Sequence, residues 1–251
     1  MSENITENEY LGGRIRIRQP QKGYRAGVDP VLLAASVPAR SGQSVLELGL
    51  GVGTAALCLS ERVDGLSLTG VEIQSDYAAL ARENASLNAA DLTVVDADLA
   101  VLPDQIKNSR FDHVIANPPY FDRNAGHPAG DLGRETAMGE ATPLALWLDI
   151  AARRVVPKGY VSFIHRAERL GDLLAQLPKT LGSVQVQPLQ PRVGRDAHLV
   201  ILRARHSGKA PLRIHAPITM HQGENHGQDA EDYTPEIKAL LRDGAALAMP
   251  I

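Results

Sequence analysis

Two short stretches of the chain carry residue types and spacings suited to chemistry. Glu47-Leu48-Gly49-Leu50-Gly51-Val52-Gly53 follows the apolar run SVLEL and precedes a helical pattern. Glycines at alternate positions (Gly49, Gly51, Gly53) permit positive φ and let a ligand approach the backbone closely. Nineteen residues after Gly53, Glu72 closes the next apolar run, where a carboxylate can accept both hydroxyls of a ribose. The set fits a nucleotide-type cofactor; the plainer reading is a turn that lets a helix pack on a sheet. It lacks the Lys-Ser/Thr pair of a phosphate-binding loop, and G-x-G-x-G is not the dinucleotide spacing G-x-G-x-x-G. Glu47 at the mouth would repel a pyrophosphate and could face a cationic ligand.

The second stretch is Asn117-Pro118-Pro119-Tyr120, directly after the run FDHVIA. Consecutive prolines stop a strand and fix its exit direction, which is the bland role of the tetrapeptide. Its chemical role starts from a poor nucleophile: an amino group whose lone pair is delocalised into a base or amide. The Asn117 side-chain oxygen and a proline carbonyl, that of Pro118, can each accept one N–H. The nitrogen is then held with its lone pair toward an electrophile, an effect of orientation and preorganised dipoles. Tyr120 can stack on a planar base, and Phe121 is either a second stacking group or a core residue.

These residues need a scaffold, and the surrounding pattern supplies one. Short apolar strands (44–48, 66–73, 92–95, 111–116, 160–164) alternate with helical patterns (54–62, from Ser75 or Asp76 onward, 143–155, 170–177), and 184–188 and 199–202 close the series. Such alternation predicts an α/β fold with a mostly parallel sheet covered on both faces. In an open sheet of that kind, reactive groups collect at the carboxyl ends of the strands, where both stretches fall. Residues 121–142, rich in Gly, Ala and charge, read as a functional loop. We expect a single domain: an N-terminal extension (1–40), a core (41–204), and a tail (205–251) packed on it and ending in a helix at 235–242.

Composition narrows the setting. The 251 residues carry 29 acidic and 26 basic side chains, net −3, with 44% hydrophobic content. That excludes wholesale disorder and a uniformly basic nucleic-acid coat. It leaves room for two compact basic segments, 12–28 and 192–213, each +5, which would suit nucleic-acid phosphates. The single cysteine, Cys58, rules out a disulfide within the chain and faces the core of its helix. The polar start MSENITENEY lacks a signal core and no apolar run is long enough to cross a membrane, so a cytoplasmic protein is expected. The histidines of HQGENH (221–226) do not have zinc spacing, and no metal is expected. His113 and His165, in or beside strands, read as structural.

The glycine stretch resembles motif I of class I S-adenosylmethionine-dependent methyltransferases, and NPPY resembles motif IV of the N-methyltransferases. With GYRAGVDPVLLAA, VEI at 71–73, DADLA and the region from PLALWLDI to RHSGKAP, the chain is similar to the tRNA(Val) adenine N6-methyltransferase family over residues 12–245. The resemblance implies the class I, Rossmann-like, three-layer fold with a seven-stranded sheet, its last strand antiparallel. It implies methyl transfer from S-adenosylmethionine to the exocyclic N6 of an adenine in a tRNA anticodon loop. Glu72 would hold the ribose, Ile73 pack on the cofactor's adenine, and Asp98, followed by Leu99, bond the adenine amine. Glu47 and the 49–53 turn would hold the methionine part, beneath an N-terminal motif. There Arg25 pairs the carboxylate, Gly27 lies in the cover, and Asp29 orients the amine or the turn. Asn117, Pro118, Pro119 and Tyr120 would hold the target base. Leu50 departs from the small residue usual at its place. The competing readings are glutamine N5-methylation of a release factor, guanine N2-methylation of rRNA, and a cofactor-binding module without catalysis; the intact NPPY argues against the last.

Overall fold

A computed structural model of the protein describes residues 5–120, 142–223 and 232–249. The 121–141 part of the predicted loop, including Phe121, lies outside them, as do Glu224, Asn225 and His226.

The central strands are β3 (Ser44–Leu48), β4 (Ser67–Glu72), β5 (Leu92–Asp96), β6 (Phe111–Ala116), β7 (Val155–Arg166), β8 (Leu181–Gln190) and β9 (Leu199–His206). They lie in the order β8-β9-β7-β6-β3-β4-β5. All neighbours from β5 to β7 are parallel, and β9 runs antiparallel to both β7 and β8. The class I methyltransferase fold is therefore present, with the seventh strand reversed. The strand count needs correction. Among the described residues the sheet has nine strands, because β10 (Arg213–Ile214) and β11 (Ile218–Thr219) add short parallel pairings to β8. Two-residue strands leave no hydropathy pattern to read.

The buried strands are apolar on both faces, as parallel strands between helical layers must be. Val45 and Ile115 face one core with α1 (Asp29–Ser36), α2 (Thr54–Arg62) and α3 (Ser75–Leu87). Leu46, Leu48 and Val114 face the other, with α4 (Asp104–Lys107), α5 (Leu144–Arg154) and α6 (Leu170–Ala175). Buried Cys58 sits in the first core, as expected.

The N-terminal residues form a separate antiparallel hairpin, β1 (Ile5–Tyr10) and β2 (Ile15–Pro20). In β2 Ile15 and Ile17 point inward while Arg16 and Arg18 point out. Two asparagines four apart, Asn84 in α3 and Asn88 at its C-cap, hold the edge of β2. Asn84 Oδ1 accepts from Arg18 N at 2.8 Å and its Nδ2 donates to Arg18 O at 2.9 Å; Asn88 repeats the pattern with Arg16 N (2.9 Å) and O (2.7 Å). One helical turn matches two strand residues in length, so the two elements zip together.

This hairpin changes the reading of the first basic segment. Arg16 and Arg18 pair with Glu7 at 3.3 and 3.2 Å, Arg18 also meets Glu83 at 3.7 Å, and Arg14 meets Glu61 at 3.6 Å. The second segment is also engaged: Arg192 pairs with Asp232, Arg203 is buried beneath the C-terminal residues, and Arg205 Nε donates to Lys158 O at 3.1 Å. α7 (Pro235–Arg242) starts at Thr234, whose hydroxyl caps the helix, and the chain then returns over α1, where Leu247 N donates to Ala35 O at 2.9 Å.

Candidate active site

Parallel order puts the carboxyl ends of β4, β3, β6 and β7 side by side, with the sheet's switch point between β3 and β6. The residues that follow those ends are the ones singled out above.

Gly49, Gly51 and Gly53 all have positive φ (+66°, +55° and +89°), so the turn needs glycine for its backbone shape. At Gly49 there is a second reason: a Cβ would lie 2.5 Å from the Trp147 ring of α5. At Gly51 it would meet nothing closer than Tyr24 Cε1, at 4.0 Å, so the turn is open on that side. Leu50 turns down into the core and lies on Gly70 of β4, where a Cβ would clash at 2.5 Å. The bulky residue is thus matched by a missing side chain on the next strand.

Glu72 is buried, with Oε2 accepting from Gly51 N at 2.7 Å and Oε1 from Gln74 N at 2.9 Å. Each oxygen retains a lone pair, enough to take a diol. Burial raises its pKa. Glu47 is not at the mouth, as the sequence suggested, but beneath the turn. Only 3% exposed, it accepts from Ala56 N at 3.0 Å, so it serves the amino end of α2 from inside. Burial, with Glu72 adding to it, pushes its pKa up to about 8. Ile73 is 56% exposed at the end of β4, an apolar face without protein cover. Asp98 caps the turn after β5 by accepting from Ala100 N at 2.8 Å, while Leu99 is packed in the core with Leu102 and Ile106.

The N-terminal motif is arranged differently from expectation. Arg25 faces the hairpin, not the turn: its guanidinium donates to Thr6 Oγ1, Pro20 O and Asn8 Oδ1 at 2.8, 2.7 and 2.9 Å. Asp29 sits in the first turn of α1 and accepts the Tyr120 hydroxyl. Burial raises the Asp29 pKa, opposed in part by the Tyr120 hydrogen bond and Arg166. Gly27 is exposed with open space around it.

In the tetrapeptide, Asn117 Nδ2 donates to Tyr24 Oη at 3.3 Å, and Asn117 Oδ1 is buried with no hydrogen-bond partner among the described residues. Tyr120 is not a free platform. Besides its bond to Asp29, its ring lies 5.2 Å from His165, and the Arg166 guanidinium sits 5.5 Å over it. His165 Nδ1 accepts from Arg166 N at 2.8 Å, and burial lowers its pKa to about 4, so the ring is neutral. Tyr24, Trp147, His165 and Arg166 were not singled out as site residues. Tyr24 stood inside a quoted motif; the other three contribute through contacts across the sheet that no local spacing reveals.

Such an edge can hold a polar, partly cationic cofactor. It offers buried carboxyl groups without ion pairs among the described residues, an open glycine turn, an exposed Ile73 and an acceptor with no donor. The residues fit S-adenosylmethionine, which carries a diol, an adenine and a cationic sulfonium and amine.

The methyltransferase small domain family matches residues 26–130. A protein of Actinobacillus succinogenes named tRNA1(Val) (adenine(37)-N6)-methyltransferase is 30% identical over 94% of this chain and 96% of its own length. A Cronobacter sakazakii protein of the same name is 30% identical over 94% of each chain. Among solved structures, a protein of Agrobacterium tumefaciens described as a predicted O-methyltransferase superposes with TM-score 0.71 and 25% identity, over 89% of this chain and all of that one. A Thermus thermophilus 16S rRNA N2 G1207 methyltransferase, solved with AdoMet and guanosine, shares the fold at TM-score 0.56 and 20% identity, over 80% of this chain and 50% of that one. The chain is an S-adenosylmethionine-dependent methyltransferase and belongs to the family of the tRNA1(Val) (adenine(37)-N6)-methyltransferases.

Proposed function

We propose that the protein methylates the exocyclic N6 of an adenine in a tRNA anticodon loop, acting in the cytoplasm. The observation that carries this reading is Asn117 Oδ1, a buried acceptor at the end of β6 with no partner among the described residues. A buried polar atom left unsatisfied costs about 1–3 kcal/mol, and an N–H from substrate removes that cost. Asn117 Oδ1 and the Pro118 carbonyl accept the two hydrogens of the target amine, and Pro119 fixes the direction in which the chain leaves. Their work is orientation, so no strong base is required before attack. The target base has to leave its loop to reach them, and Tyr120 is the side chain placed to flank it. S-adenosylmethionine supplies the electrophilic methyl. Glu72 holds its ribose, Ile73 and Asp98 its adenine, and the glycine turn, braced from beneath by Glu47, faces its methionine end. Gly27 and Leu99 act as backbone and packing supports, and Arg25 acts by anchoring the cover to the hairpin.

The relatives named above support tRNA as the substrate class, and cations at the two basic segments that are not engaged internally are the groups to meet its phosphates. The test is tritiated methyl transfer onto unmodified total tRNA followed by nucleoside analysis. Label in N6-methyladenosine is expected, with Asn117→Ala lowering transfer by at least about a hundredfold. Label on guanosine or on protein, or an Asn117→Ala variant as active as the parent, would overturn the reading.

A further inference from the structure

We infer that Tyr24 is the positioning residue that sets which side of the Asn117 carboxamide meets the substrate. The inference rests on the reading of Asn117 Oδ1 as the acceptor of the target amine. A side-chain amide rotated by half a turn fills nearly the same space but presents NH2 where oxygen stood. Facing an incoming amine, that orientation sets donor against donor. Something must therefore select the rotamer, and the two prolines that follow cannot do so.

Tyr24 Oη is the group beside the carboxamide, taking a hydrogen from Nδ2 at 3.3 Å and leaving Oδ1 unpartnered. A phenol can donate as well as accept, so its own hydrogen must be directed elsewhere. Asp29 does this: burial raises the Tyr24 pKa and the Asp29 charge adds to the rise, so the hydroxyl stays protonated. A hydroxyl hydrogen drawn toward Asp29 leaves the oxygen lone pairs for Asn117. The backbone around Tyr24 is also fixed. Tyr77 Oη donates to Tyr24 O at 3.1 Å, Ala26 N donates to Gln19 Oε1 at 2.9 Å, and Tyr10 Oη donates to Ala26 O at 2.7 Å. The other edge of the ring stands beside Gly51, 4.0 Å from where a Cβ would be. One side chain thus bonds the acceptor asparagine and stands near the open side of the cofactor turn.

The test pairs Tyr24→Phe with two backgrounds. Tyr24→Phe keeps the ring and removes the hydroxyl. The expected result is a single-turnover rate about tenfold lower, the effect of one positioning hydrogen bond. Cofactor Kd and Tm should stay near the parent's. The side-chain NH2 cross-peak of Asn117 in a 1H–15N spectrum should move, a readout independent of activity. In the Asn117→Asp background both side-chain atoms are oxygen, so orientation no longer matters and Tyr24→Phe should cost nothing further. A Tyr24→Phe enzyme at the parent's rate beside an inactive Asn117→Ala enzyme would refute the role of Tyr24 and leave the proposed reaction standing. The same tenfold penalty persisting in Asn117→Asp would refute it too. An active Asn117→Ala enzyme would instead remove the reading on which the inference rests.

Discussion

Acidic side chains meet two different fates in this molecule. At the carboxyl edge of the sheet, Glu47 and Glu72 are buried and Asp29 half-buried, without ion pairs among the described residues, and their pKa values are all raised. Near the C-terminus, Asp232 is clamped by Arg192 on one oxygen and by His221 Nδ1 at 2.6 Å on the other, and its pKa is lowered to about 2. His221 also stacks on Tyr233 at 4.9 Å. The clamp uses its charges to fasten chain to chain. The sheet edge leaves its carboxyl groups without ion pairs among the described residues, and this is the physical difference between a brace and a binding site.

Substitutions can break that contrast. Glu72→Gln should weaken S-adenosylmethionine binding by about a hundredfold, measured by calorimetry, while Tm falls only by the loss of one of its two backbone bonds. Arg192→Ala should do the reverse, lowering Tm by several degrees while cofactor Kd stays put. If both variants moved both quantities equally, the two regions would not be distinct in kind.

Titration sharpens the same contrast, because the two signs are opposite. Glu47 keeps its proton to about pH 8 in the folded protein but releases it near 4.5 when unfolded. Stability of the cofactor-free protein therefore falls as pH rises from 4.5 to 8, and Glu47→Gln should flatten that slope. Asp232, with its pKa lowered, contributes stability above about pH 4 that is lost as pH falls toward 2, and Asp232→Asn should remove that loss. Denaturant midpoints across pH 2–9 check both. The smallest effect belongs to exposed pairs: Glu7→Ala, which releases Arg16 and Arg18, should cost less than about 1 kcal/mol.

Much of this architecture was legible in the residues. The strand-helix alternation shows because each central strand is buried on both faces and each helix on one. The glycine turn and the tetrapeptide show because backbone shape and strand termination need particular residue types at fixed spacing. The hairpin was half hidden: IRIRQP alternates, but ITENEY carries no apolar period, and its link to α3 runs through asparagines bonded to backbone. The place of Leu50 was marked only by Gly70, a glycine inside a strand, which signals close approach by something else. Arg25, Asp29 and Tyr120 stand out in the sequence as members of the N-terminal motif and the tetrapeptide. Their partners are one another's neighbours in space, so sequence order could not show that Asp29 bonds Tyr120 or that Arg25 bonds the hairpin.

The bond between Leu247 N and Ala35 O joins the last turns of the chain to the helix that begins at Asp29. A ribosome releases those two segments far apart in time. α1 can form early, but its outer cover lies roughly two hundred residues further along the chain, and contacts of such long sequence separation are slow to close. Asp29 fastens Tyr120, so the acceptor pocket takes its final shape among the last events of folding. A nascent chain cut short before residue 247 would carry both motifs in full and still lack a finished place to use them.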